Sequence, residues 1–160
     1  MRFDHQHPHY LQARRGPRRG SALVEFALVV GMLFVILMGI IEFSAFGKNS
    51  LTIANATREG ARAAAIGNTT TQIRDRVKRF AAPLSVASPD GGVILEVSND
   101  KGISYQTLTD NAQGKNAAIA DSLVRVRVNS LNRTITGAFG ALFNRQLTGS
   151  VTMRREGNVS

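Results

Sequence analysis

The clearest candidate for chemistry in this sequence is a carboxylate in an apolar setting. Glu25 immediately precedes Phe26–Ile41, a run of 16 residues without one polar side chain. If Phe34 lies near a bilayer centre, Glu25 is about 13 Å away at ~1.5 Å rise per residue, still inside a half-thickness of about 15 Å. A carboxylate at that depth is costly alone and marks a specific partner. A plain anchor has no use for it, whereas a cation in the membrane does. The amine released by cleavage between Gly20 and Ser21 would be such a cation.

Other chemistry is sparse. The acids of residues 67–160 are few: Asp75, Asp90, Glu96, Asp100, Asp110, Asp121 and Glu156. No histidine follows His9, so a Ser–His pair cannot form in a chain that starts at Ser21. There is no glycine-rich phosphate loop and no cysteine, which removes disulfides, thiol catalysis and cysteine zinc sites. No catalytic, cofactor-binding or metal-ligating residue is therefore assigned, and no enzyme activity is expected. His5, His7 and His9 alternate in a leader and read as incidental. The triplets at Asn55, Asn68 and Asn132 match a glycosylation pattern that arises often by chance. Net charge is +9, and Arg74, Arg76, Lys78, Arg79, Arg125, Arg127, Arg133 and Arg145 could form a phosphate-binding stripe. A solvated basic surface, or attraction to anionic headgroups, explains them as well. Nucleic acid is not the expected partner.

The elements that must position Glu25 come next. Eleven of the 16 apolar residues are Leu, Ile, Val or Phe. At about −0.3 to −0.6 kcal/mol each, they favour insertion by roughly 3 to 7 kcal/mol. A transmembrane helix is expected over residues 21–47, and nothing else in the chain is apolar enough to wrap it as a core helix. Residues 1–20 form a basic leader with Arg2, Arg14, Arg15, Arg18 and Arg19. These outnumber Lys48, Arg58 and Arg62 beyond the run, which places the N-terminus in the cytoplasm and the C-terminus outside. The apolar run is longer than the 7–15 residues of a secretory signal peptide, the rival reading.

The helix is expected to continue over residues 48–66 as an amphipathic extension. Its stripe is read as Phe43, Phe46, Leu51 (or Ser50), Ala54, Thr57, Ala61 and Ala64 or Ala65. Because that stripe is narrow and alanine-rich, something must pack closely on it. Arg58 and Arg62 share a face, and Glu59 can meet Arg62 three residues on. The box Arg58-Glu59-Gly60-Ala61-Arg62 reads either as a solvated charged face or as a helix–helix contact with another subunit, approaching over Gly60. Gly67-Asn68 is a stop signal.

Residues 67–160 read as an exported α+β domain. Thr71 is expected to cap a helix over 72–82, with Ile73, Val77, Phe80 and Leu84 as its apolar stripe. Residues 87–92 are a turn, 93–98 a strand, Asn99–Gly102 a hairpin turn and 103–108 the return. Residues 109–116 are a polar loop. Residues 122–129 alternate, with Val124, Val126 and Val128 inward and Arg125 and Arg127 outward. Residues 135–143 form a short helix or a loop, and 147–155 a last strand. The fold class is α+β, a long N-terminal helix packed on a small, mainly antiparallel sheet.

Gly20, Ser21 and Glu25, between a basic leader and an apolar helix, resemble the type IV prepilin processing signal. More narrowly, Glu25-Phe26-Ala27-Leu28, Glu42-Phe43, Arg58-Glu59-Gly60-Ala61-Arg62 and Met153-Arg154-Arg155-Glu156 resemble TadE-like pseudopilins of the tight-adherence pilus machinery. Gly31 stands where many relatives carry proline, Thr57 where alanine is usual, and the common cysteine pair is missing. The resemblance implies cleavage after Gly20 by a prepilin peptidase, and pairing of Glu25, next to Phe26, with the Ser21 amine of a neighbouring subunit. It also implies a single-pass protein of the bacterial inner membrane, associated with other pilin-like subunits and the pilus assembly platform as a homo- or hetero-oligomer. The alternative is a signal-anchored surface protein whose basic exported domain is adhesive or captures DNA.

Overall fold

The computed structural model describes residues 19–86 and 92–157. The leader ahead of Arg19, with its three histidines, and residues 87–91 of the turn expected over 87–92 lie outside the described residues. The chain divides into two compact units, which meet between Leu37 and Met38.

Helix α1 runs from Arg19 to Ala65 without a proline to interrupt it. In the first unit, residues 20–37 bury no side chain. Phe26 is 67% exposed. A soluble core helix would have its apolar face covered by the rest of the fold. Within the described chain nothing covers this one, and α1 is long and apolar enough to cross a membrane.

In the second unit, α1 packs on a four-stranded antiparallel sheet of order β2-β1-β3-β4. The strands are β1 (Val93–Ser98), β2 (Gln106–Thr107), β3 (Leu123–Leu131) and β4 (Gln146–Arg154). The alternation expected around Val126 is observed: Val124, Val126 and Val128 are buried, and Arg125 and Arg127 lie on the other face. Register places Leu95 opposite Val126, and Val126 opposite Val151. The core joins these valines to Ile53, Ala56 and Ala61 of α1 and to Ile73, Val77 and Ala81 of α2 (Thr70–Ala81).

Several boundaries differ from expectation for local reasons. Thr69, not Thr71, caps α2. Its hydroxyl accepts from the Gln72 N–H while the Gln72 side chain accepts from the Thr69 N–H, a reciprocal pair that fixes the start. Phe80 faces out, and Ala81 takes the buried position. The return strand β2 is only two residues long. Asp100 accepts from the backbone N–H of Ser104 at 2.9 Å and from both neighbouring serine hydroxyls, Ser98 and Ser104. Those bonds keep residues 99–105 in a loop and delay pairing. The connection 135–143 contains a short helix, α3 (Gly140–Phe143).

The α1 stripe agrees with expectation at Phe46, Thr57, Ala61, Ala64 and Ala65 and departs from it at Phe43 and Leu51. Phe43 and Leu51 point outward, and the buried line is Glu42, Phe46, Ile53, Ala56, Thr57, Gly60, Ala61 and Ala64, with Phe46 partly covered. Two close approaches explain why it is built of small residues. A methyl on Gly60 would strike Cγ2 of Val77 and lie 3.3 Å from Cγ1 of Val126. One on Gly149 of β4 would strike the Thr57 hydroxyl.

Candidate functional site

Gly20 and Ser21 occupy the first turn of α1 and are exposed. Glu25 and Phe26 follow one turn later, also exposed. Helical periodicity sets Glu25 on one face with Leu28, Val29 and Met32, all three of them exposed. The structure thus presents Glu25 on an uncovered apolar face.

The second carboxylate of α1, Glu42, is treated differently. It is 2% exposed and lies against the connection between β3 and β4. Its carboxylate accepts from the Ile135 N–H at 3.1 Å, the Thr136 N–H at 2.5 Å and the Thr136 hydroxyl at 2.6 Å. A buried carboxylate is tolerated only with such donors, and charge-assisted bonds of this kind are the strong ones. Two helical turns on, the Asn49 amide donates to Asn132 at 2.7 Å, and Asn132 donates to the Phe143 carbonyl at 2.7 Å. Phe46 meets Phe143 at 5.7 Å between ring centroids. Glu42, Phe46 and Asn49 therefore clamp the connection to α1. Sequence reading noticed Glu42 only as part of a motif, because its partners lie more than ninety residues away.

The Arg58–Arg62 box divides into two parts. Gly60 and Ala61 are buried, and the helix that comes close to Gly60 is the chain's own α2. Glu59 lies 4.0 Å from Arg76 of α2, a contact the expected pairing with Arg62 did not anticipate. Arg58 and Arg62 are exposed and Glu59 is partly so.

The Met153–Glu156 motif closes the far end of α1. Gly67, at φ 95°, ends the helix: its N–H donates to the Ala64 carbonyl, and the Asn68 N–H to that of Ala63. The Ala65 carbonyl, left over, accepts from the Arg155 guanidinium at 2.7 Å and from the Glu156 N–H at 3.0 Å. Asn116, read from sequence as the end of a polar loop, is buried and donates to the Ala64 and Asn68 carbonyls, both at 2.9 Å. A lone asparagine after a polar run carries no signal for that role.

On the outer face of the sheet, Glu96 takes Arg125 at 2.6 Å and Arg127 at 2.5 Å, and the Arg125 guanidinium sits 3.4 Å over the Tyr105 ring. Desolvation pushes the Glu96 carboxyl up, but hydrogen bonds and charge from the two arginines outweigh it and hold the group below its ordinary range. The same hydrogen bond to Glu96 raises Arg125. Two members of the basic stripe thus neutralise a carboxylate, and Arg76 faces Glu59. These arginines build the sheet and the α1–α2 junction, and three of the eight cations offer a polyanion less than the sequence suggests.

Residues 20–62 match the family model described as TadE-like protein. No curated protein and no solved structure matches the chain.

Proposed function

We propose that this chain, TadE-like over residues 20–62, is a non-enzymatic, pilin-like subunit of a single-pass membrane type that helps assemble a tight-adherence pilus. The family match supports a pilus-associated protein. On this reading residues 1–20 are a cytoplasmic leader removed by a prepilin peptidase. Residues 21–47 cross the inner membrane, 48–66 continue the helix outside, and 67–160 are the exported domain. The Ser21 amine of one subunit meets Glu25 of the next, and Phe26 packs beside the pair. Arg58 and Arg62 add a contact between outer halves.

The observation that carries the reading is the contrast between two glutamates on one helix. Glu42 is buried and supplied with three donors from its own chain, whereas Glu25 stands on an apolar face that the chain leaves bare. A carboxylate in lipid needs a partner. Mass spectrometry of the mature protein is expected to find Ser21 at its start. Glu25→Leu is expected to insert normally and to lose incorporation into assemblies with the partner subunits. Unchanged piliation with Leu at 25, or a functional protein retaining its leader, would remove the pairing. The alternative, a surface-anchored DNA-capturing protein, requires steeply salt-dependent retention of duplex DNA by the full-length protein in detergent. With Arg125 and Arg127 committed to Glu96, none is expected.

A further inference from the structure

The connection between β3 and β4 is apolar where a solvent-facing hairpin end would be polar. Ile135 is 70% exposed and Leu142 60% exposed, and no acidic residue occurs from 132 to 145. The clamp from Glu42, Phe46 and Asn49 fixes where this segment lies along α1. Phe139 also approaches to 4.0 Å of the position a side chain would take on Gly39. The segment is therefore level with residues 39–49, beside the end of the apolar run. On α1 at this level Ile40, Ile41 and Phe43 are exposed too, Phe43 at 68%. Helix and connection together present one apolar end of the second unit. Arg133, Arg145 and Lys48 are exposed around it.

From this placement we infer that the β3–β4 connection is a membrane-resting element. Ile135 and Leu142 sit in the interfacial layer of the bilayer, and Arg133 and Arg145 reach anionic headgroups. The inference rests on α1 spanning the membrane. It adds that the exported domain does not hang free on its helix but is seated on the outer leaflet, with the last residues of the 21–47 span in the interfacial layer. Three features favour lipid as the occupant. Ile40 and Ile41, which end the apolar run, are among the exposed apolar residues at this level. The flanking charge is uniformly positive, which suits anionic lipid. The Glu42 charge, which would oppose entry into lipid, is buried and hydrogen-bonded at this level. Amphipathic interfacial segments bind by this combination of apolar burial and cationic flank.

The chain has no cysteine, so single labels are simple to place. Full-length Ile135→Cys, Leu142→Cys, Thr152→Cys and Leu33→Cys variants, each carrying an environment-sensitive fluorophore, are reconstituted in vesicles of phosphatidylcholine and phosphatidylglycerol. Labels at 135 and 142 are expected to shift to the blue, to resist aqueous iodide, and to be quenched by lipids spin-labelled near the top of the acyl chain. The label at 152, on an exposed β4 position, is expected to behave as in water. Lipid quenching at 33 with iodide quenching at 135 and 142 would overturn this inference and leave the membrane span standing. Iodide quenching at 33 as well would overturn the span itself. Protection at 135 and 142 that fades as protein is diluted in lipid, without lipid quenching, would assign the patch to a second subunit instead.

Discussion

Glu96 shows at the scale of single residues how this chain uses its charge. Its two arginine partners hold the carboxyl below its ordinary range against the pull of burial. A depressed carboxylate contributes stability that is fully present above the unfolded-state value, about 4.3. That contribution is lost as pH falls through the lower folded-state value. Glu96→Gln should therefore lower stability near neutrality by about 1 to 2 kcal/mol, the smaller figure if solvent screens the more exposed Arg127. The gap between variant and wild type should narrow as pH drops below about 4. Thermal unfolding followed by circular dichroism across that range checks both statements. A gap that stays constant with pH would mean packing, not charge, carries the loss. Residues of this kind divide sharply in how legible they were. Glu25 stood out because its oddness is local, a carboxylate beside sixteen apolar neighbours. Glu42, Asn116 and Arg155 did not, because what makes each of them useful is a partner some fifty to ninety residues away.

Among the elements, α1 is the one the rest must fit. Its helix and its apolar half could be read from composition alone, and β3 from clean alternation of valine with arginine. The alanine-rich part of the face α1 presents to the sheet follows from three- and four-residue spacing, but the same spacing points to Phe43 and Leu51 where the structure buries Glu42 and Ile53. Apart from Ile53 and Phe46, small residues and one hydrogen-bonded carboxylate line the contact, and neither carries the weight that hydrophobic periodicity relies on. The hairpin after β1 was legible as a turn, but its length was set by Asp100, whose side-chain bonds compete with strand pairing. The close approach at Gly60 gives a signed test. In an open helical position, glycine to alanine stabilises by about 0.5 to 1 kcal/mol. Gly47 has nothing within 4 Å of a new methyl, so Gly47→Ala should show that gain. At Gly60 the same change drives a methyl into Val77, and overpacking of this kind costs about 1 to 3 kcal/mol. Gly60→Ala should therefore melt lower than wild type while Gly47→Ala melts at or above it. A Gly60→Ala protein as stable as Gly47→Ala would show that α2 yields easily and that the glycine answers to some other partner.

For the whole second unit, the decisive feature is that one helix is held at two levels by distant parts of the chain. Near residues 39–49 the β3–β4 connection is clamped to it, and at Ala63–Gly67 the C-terminal segment and Asn116 close its end. Between these levels the contact with the sheet is made, Ile53 apart, by small side chains, which bury little apolar area each. The end closures should then matter more than they would in a helix seated on large residues. Arg155 is the test. Its backbone N–H donates to the Ser122 carbonyl at 2.7 Å while its guanidinium donates to Ala65 and packs against Gly67. It thus ties the start of β3 to the end of α1. Arg155→Ala leaves the Ala65 carbonyl with the Glu156 N–H alone and opens a space beside Gly67, for a loss of about 1 to 3 kcal/mol. Amide exchange in the detergent-solubilised protein should localise that loss. Protection should fall at Gly67 and Asn68 and in α2, while the amides of β1 and β3 keep theirs. If protection falls evenly across the sheet instead, Arg155 supports the core at large. If nothing changes, the C-terminal motif does not close the helix, and its resemblance to the family ending has another cause.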